Sequence, residues 1–129
     1  MDQPTPSKQE LEILKLCWRE GELSAREAHD ALGERLGWTL STTRTTLDRM
    51  EAKGLLKTRS VHRLKVYDAG VEKTSTLAAM VGGFVRRVLE IDGPVPVASF
   101  AESKILDPDE LAELEAFLEQ TDKGEGDAS

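Results

Sequence analysis

Residues 39–50, TLSTTRTTLDRM, place six hydroxyl-bearing side chains in their first eight positions, with Arg44 and Arg49 set among them. Short hydroxyls and guanidinium groups at helical spacing suit one chemistry: hydrogen bonds and charge contacts to phosphate oxygens. Arginine can also read the O6/N7 edge of guanine, and a threonine methyl can touch thymine. No catalytic set competes with this. Cys17, His29 and His62 match no zinc spacing, and Cys17 falls on an apolar helical stripe that makes it a core residue. Trp18 and Trp38 are expected to pack, at the core and at a helix junction. No paired acid and base supports a hydrolase or transferase, so no enzyme activity, metal or cofactor is expected.

For such a face to meet a polyanion, the charge around it has to be right. The 129 residues carry a formal net charge of −7, which taken alone argues against nucleic acid. Distribution matters more than the total. Residues 35–65 hold eight Lys/Arg against Asp48 and Glu51, a local +6 that leaves −13 for the remainder. A basic helix face is often merely solvated. Here segregated charge, adjacent hydroxyls and a basic hairpin just downstream together favour double-stranded DNA as the partner. The single cysteine excludes an internal disulfide, and no apolar run approaches the length of a membrane span. The start, MDQPTPSKQE, does not have the form of a signal peptide, so no membrane association and a cytoplasmic location are expected.

The elements that must hold this face follow from capping and period. Ser7–Glu10 and Ser24–Glu27 both have the capping-box form, in which a serine and a glutamate satisfy each other's free backbone N–H at a helix start. Leu11, Leu14 and Trp18 then mark the first helix, stopped by Gly21; Ala28, Ala31, Leu32 and Leu36 mark the second. This second helix ends near Gly37, or earlier at Gly33, which costs about 1 kcal/mol in a helix interior. A third helix, capped by Leu40 or Ser41, turns Thr43, Leu47 and Met50 inward and Ser41, Thr45, Asp48, Arg49 and Ala52 outward, with Thr42 and Arg44 on the flanks. Arg44 and Thr45 are the candidates for reading bases; Ser41, Thr42, Arg49, Lys53 and the wing cations are those for holding phosphates. Asp48 fits this face poorly: it either orients Arg44 as an i,i+4 pair or points past the DNA. Residues 55–68 then alternate as two short strands about a tip near Val61 to Arg63, with Leu64, Val66 and Asp68 on one side. Three helices followed by a basic hairpin predict a winged helix-turn-helix over 1–70, a mainly α fold with a small β-hairpin.

From Val71 the helical period returns, with Thr74, Leu77, Ala78, Val81, Phe84, Val85 and Val88 forming a stripe to about Ile91, interrupted at Gly82-Gly83 by a kink or a close approach. Asp107, Pro108 and Glu110 open a last helix carrying Leu111, Leu114, Phe117 and Leu118. A helix of about 20 residues with little of its own chain to pack on predicts burial against a second copy. Leu77, Val81, Phe84, Val85, Val88, Leu114, Phe117 and Leu118 are the candidates for that interface. The chain thus divides into a DNA-binding domain over 1–70, a helical dimerisation domain over 71–121 and a disordered acidic tail over 122–129. Two-fold symmetry predicts a pseudo-palindromic site whose half-sites lie about one helical turn, or a multiple of it, apart.

Several segments also carry a family likeness: ELEILKLCW (10–18), GWTLSTTRTTLDRMEAKGLLK (37–57), VYD (66–68), FVRRVL (84–89), SFAE (99–102) and DELAELEAFL (109–118). Through them nearly the whole chain resembles the bacterial penicillinase-repressor family of winged-helix transcriptional regulators, which includes the repressor of methicillin resistance. The resemblance implies a homodimeric repressor that binds operator DNA through its N-terminal winged helix, interlocks with its partner through C-terminal helices and performs no chemistry of its own. By position, Thr42, Arg44 and Thr45 correspond to the polar front of the family's recognition helix, and Arg59, His62, Arg63 and Lys65 to its wing. It further implies inactivation by a sensor-linked protease. The corresponding bond is Ser99–Phe100, with serine where the best-known members have asparagine. The wing lacks the glycine common at its tip, EIDGPVP (90–96) replaces a Gly-Gly turn, and the paired cysteines of copper-sensing relatives are absent. The rival reading is a winged-helix module whose acidic body and hairpin grip a protein partner.

Overall fold

The computed structural model describes residues 4–128, with side chains placed through Glu119. The chain divides into two compact units, one over Pro4–Val71 and one beginning at Glu72.

In the first unit α1 (Lys8–Glu20) and α2 (Ala25–Leu36) both open on complete capping boxes. Ser7 Oγ accepts the Glu10 N–H at 3.2 Å while Glu10 Oε1 accepts the Ser7 N–H at 2.8 Å, and Ser24 and Glu27 repeat the exchange. Gly21 closes α1 with φ +86°, a left-handed value that favours glycine. Of the two ends open to α2, the one near Gly37 is taken: the helix runs through Gly33 to Leu36 and stops at left-handed Gly37. Packing explains the choice. The His29 ring lies over Gly33, where a Cβ would come within 2.4 Å of it, so the missing side chain is what lets the ring lie there. The third helix, α3 (Leu40–Ala52), is capped not by Leu40 or Ser41 but by Thr39, whose extended backbone turns its hydroxyl toward the Thr42 N–H at 3.1 Å.

The sheet has one strand more than expected. β1 (Leu23–Ser24) pairs with β3 (Leu64–Ala69), which pairs in turn with β2 (Leu56–Val61), all antiparallel, in the order β1-β3-β2. The β2/β3 ladder runs from Leu56 opposite Ala69 to Val61 opposite Leu64, leaving a two-residue turn of His62 and Arg63. Leu64 is 54% exposed beside that turn, while Val66 and Tyr67, on opposite sides of β3, are both buried. Ile13, Leu14, Leu16 and Cys17 of α1, Ala28 and Leu32 of α2, Leu47 and Met50 of α3, and Leu55, Leu56 and Tyr67 form one core. Trp18 and Trp38 pack against it, and Trp18 Nε1–H donates to the Val71 carbonyl at 3.1 Å. Three helices around this core, with the β2/β3 hairpin as the wing, make the first unit a winged helix-turn-helix.

The second unit contains α4 (Lys73–Gly83), a π turn (Phe84–Val88), a 3-10 turn (Val97–Phe100) and α5 (Pro108–Ala128). The apolar stripe expected to run as one helix to Ile91 is α-helical only to Gly83; beyond it the Leu89 N–H reaches back five residues to the Phe84 carbonyl. The capping box at Asp107 forms, with Glu110 N–H on Asp107 Oδ1 at 2.7 Å. Leu77 and Ala78 of α4 are buried, as are Leu114 and Leu118 of α5, and Lys73 pairs with Glu110 at 3.1 Å. The tail expected over 122–129 lies outside the residues described in full. Among the described residues no helix is long and apolar enough to cross a membrane.

Candidate nucleic-acid interface

The threonines of α3 divide by direction. Thr43 is buried; its hydroxyl donates to the Thr39 carbonyl at 3.2 Å and meets His29 Nδ1 at 2.9 Å, fastening α3 to α2. Thr46 donates to the Thr42 carbonyl at 2.8 Å, and Thr39 caps the helix. These three hydroxyls serve the helix itself. Ser41, Thr42 and Thr45 are exposed and lie on the same outward side as Arg44 and Arg49. The first turn of α3 also carries no acid, so its free N–H groups and positive dipole end stay available to an anion.

The structure leaves every candidate cation of this unit exposed, but it does not leave every one unpaired. Lys53 closes on the carboxylate of buried Glu10 at 2.9 Å to both oxygens. Burial pushes the Glu10 carboxyl up, yet the Ser7 N–H and the Lys53 ammonium outweigh it and hold the group below its ordinary value. Lys53 is therefore a tie between α1 and the end of α3 more than a phosphate ligand. In the wing, Arg59 is gripped by Glu22 through Nε at 2.5 Å and Nη2 at 2.6 Å, a bidentate pair, and Lys65 is held by Glu51 at 3.0 Å and Asp48 at 3.3 Å. Among the described residues Arg44, Arg49, Lys57 and Arg63 close no ion pair, although Arg44 lies near enough to Asp48 and Lys57 to Glu22 to help hold those carboxyls below their usual range, and His62 and Arg63 together form the wing tip.

Asp48 has a role that neither sequence alternative gave it. Its Oδ1 accepts the Tyr67 hydroxyl at 2.7 Å as well as Lys65, and it makes no ion pair with Arg44. The Tyr67 hydrogen bond, aided by the Lys65 charge, holds the Asp48 carboxyl below its usual range. Glu51 repeats the pattern one turn on, accepting Thr58 Oγ1 at 2.6 Å beside Lys65. Two acids of α3 thus fasten its outer side to both strands of the wing. Sequence reasoning missed Glu22, Glu51 and Tyr67 because each partner comes from another element. Cys17 is buried in the core, where burial pushes its thiol up to about 12 and keeps it protonated.

In the second unit the interface candidates separate. Leu77, Leu114 and Leu118 are buried within the unit, Val81, Val85 and Phe117 are half-buried, and Phe84 and Val88 are exposed together with Leu89 and Ile91. Ser99 is exposed in the 3-10 turn, while half-buried Phe100 joins Leu77, Val81, Ile105, Leu106 and Leu114 around a cavity of about 430 Å³.

Residues 6–120 match the model of the penicillinase repressor family. The penicillinase repressor of Bacillus licheniformis is 26% identical over 117 residues, 91% of either chain, and the methicillin resistance regulatory protein MecI of Staphylococcus aureus is 24% identical over 87% of this chain and 91% of its own. Among solved structures, that of the Bacillus licheniformis BlaI monomeric form in complex with the blaP half-operator is similar, with a TM-score of 0.51 and 27% identity over 57% of this chain and 89% of that one. With a winged helix, a hydroxyl- and arginine-bearing third helix and a match over 115 of its 129 residues, the chain belongs to the penicillinase repressor family.

Proposed function

We propose that the chain is a homodimeric, sequence-specific DNA-binding repressor of transcription, with α3 in the major groove of operator DNA. One observation carries the reading: among the described residues Arg44 and Arg49 stand exposed and outside any ion pair, beside the exposed hydroxyls of Ser41, Thr42 and Thr45, on the third helix of a winged helix-turn-helix. The similar BlaI domain, solved with a half-operator, supports it. Arg44 and Thr45 read base edges, Ser41, Thr42 and Arg49 hold phosphates, and His62 and Arg63 set the wing tip on the flanking backbone. The second unit supplies dimerisation.

Replacing Arg44 and Arg49 together by alanine tests this directly. Each good arginine–base or arginine–phosphate contact is worth about 1–3 kcal/mol, so affinity for a genomic fragment selected by the wild-type protein falls at least roughly tenfold, and the salt dependence of binding becomes shallower. Unchanged affinity in a variant with an unchanged circular-dichroism spectrum would defeat the reading. A wild-type protein that retards no duplex at low salt would point to a protein-binding module. Inactivation by a sensor-linked protease at Ser99–Phe100 belongs to the same proposal, and a chain that stays intact throughout derepression counts against that part of it.

A further inference from the structure

Sequence-specific repressors face a general difficulty: every wing cation that helps on the operator helps equally on the rest of the genome, because phosphates carry no sequence. This chain places carboxylates where phosphates would go. Glu22, just ahead of β1, presents both oxygens to the Arg59 fork at 2.5 and 2.6 Å, the geometry a phosphate would offer. Asp48 and Glu51, one turn apart on α3, converge on Lys65 at 3.3 and 3.0 Å. Asp48, Glu51 and Lys65 lie between recognition helix and wing, while Arg59, whose strand neighbour Thr58 turns toward Glu51 of α3, lies with Glu22 on the other face of the hairpin; all of these side chains reach solvent. Asp48 and Glu51 fasten α3 to the wing through Tyr67 and Thr58, but the exposed ion pairs to Arg59 and Lys65 add little to stability, so holding the fold together does not account for the pairing of these two cations.

Resting on the repressor reading, we propose that Glu22, together with Asp48 and Glu51, acts as a built-in phosphate mimic that masks Arg59 and Lys65 and so limits binding to non-operator DNA. On arbitrary sequence the wing cations remain paired, because the gain from a new phosphate contact is offset by the released carboxylate standing next to that phosphate. Only the unpaired cations Arg44, Arg49, Lys57 and Arg63 then contribute. On the operator, base contacts made by α3 press the wing against the backbone, and the carboxylates give way. Both acid sets have pKa values displaced below the ordinary range, Glu22 chiefly by the Arg59 hydrogen bond and Glu51 by Thr58 and Lys65, so they stay ionised at neutral pH. The mask is therefore permanent under physiological conditions and yields only to competition.

The test compares wild type, Glu22→Gln, Arg59→Gln and the double variant by fluorescence anisotropy, across a salt series, on a 30-base-pair duplex of arbitrary sequence and on a genomic fragment selected by the wild-type protein. Glutamine keeps the size and the hydrogen-bonding oxygen at an exposed site, and a thermal melt confirms the fold. Glu22→Gln is expected to tighten binding to the arbitrary duplex several-fold and to steepen its log–log salt slope by about one, while changing affinity for the selected fragment much less. In the Arg59→Gln background the same substitution is expected to do nothing, since Glu22 acts through Arg59. Equal tightening with or without Arg59 would mean a diffuse charge effect and would overturn the proposal, as would no tightening at all. If the wild-type protein binds neither duplex at low salt, the repressor reading itself fails. An Asp48→Asn/Glu51→Gln pair against Lys65→Gln repeats the cycle at the second clamp.

Discussion

Arg63 occupies the tip of the wing at φ +69°, next to His62 at φ +50°. A two-residue hairpin turn of type I′, one of the two that match the twist of the strands, puts both of its residues in the left-handed region, and Asn-Gly is its usual sequence. Neither His62 nor Arg63 is glycine, so the turn holds a side chain where L-residues lose roughly 1–2 kcal/mol. On the proposed DNA-binding reading, a strained cation is kept at the tip of this basic hairpin because it meets phosphate there. Arg63→Gly is accordingly expected to raise the stability of the winged unit by about 1 kcal/mol in urea unfolding while weakening DNA binding and lowering the salt slope by about one. A variant neither stabilised nor impaired would show that the turn is relaxed and the arginine idle. At the same scale Asp48 turns from a misfit on a basic face into the acceptor that Tyr67 and Lys65 share.

Helix starts and stops were legible because they depend on neighbours in sequence. The Ser7–Glu10, Ser24–Glu27 and Asp107–Glu110 boxes close within three residues, and their side chains meet as the pattern demands. So did the inward set Thr43, Leu47 and Met50, which is fixed by the 3.6-residue period alone. What escaped the sequence was decided by contacts between elements. Two residues of β1 carry no period, so the strand, and with it Glu22 as the partner of Arg59, is visible only once β3 lies alongside. Gly33 reads as a helix breaker until the His29 ring covers it. The change from α to π hydrogen bonding after Gly83 leaves the apolar spacing nearly intact, so a stripe drawn on one period ran on to Ile91. Of the candidate site, the outward hydroxyls and arginines of α3 were legible from direction alone. Which cations remain free to bind was not, because ion pairing on a surface is set by acids 14 to 43 residues away.

For the whole molecule the question is what covers Phe84, Val88, Leu89 and Ile91, which remain 52%, 63%, 50% and 48% exposed. Leu77, Leu114 and Leu118, though candidates for a subunit interface, are already occupied between α4 and α5, so a second copy finds its apolar surface mainly at the π turn and just beyond. A half-exposed aliphatic or aromatic side chain offers roughly 1 kcal/mol on burial, so the row in two copies offers about 8. Association costs about 4–15 kcal/mol, so on the proposed dimeric reading these side chains alone would make a dissociable dimer. Two half-sites on one duplex would then supply the missing strength by holding both copies at high effective concentration. Sedimentation equilibrium should therefore find a reversible monomer–dimer mixture, shifted to monomer by Phe84→Asp with Val88→Asp. The same variant is expected to lose at least roughly tenfold in affinity for a duplex with two half-sites, yet to bind a single half-site as the wild type does, because the winged unit is untouched. A variant that stays dimeric would put the interface elsewhere in the second unit, and equal loss on both duplexes would show that this row acts on the DNA-binding unit rather than on pairing.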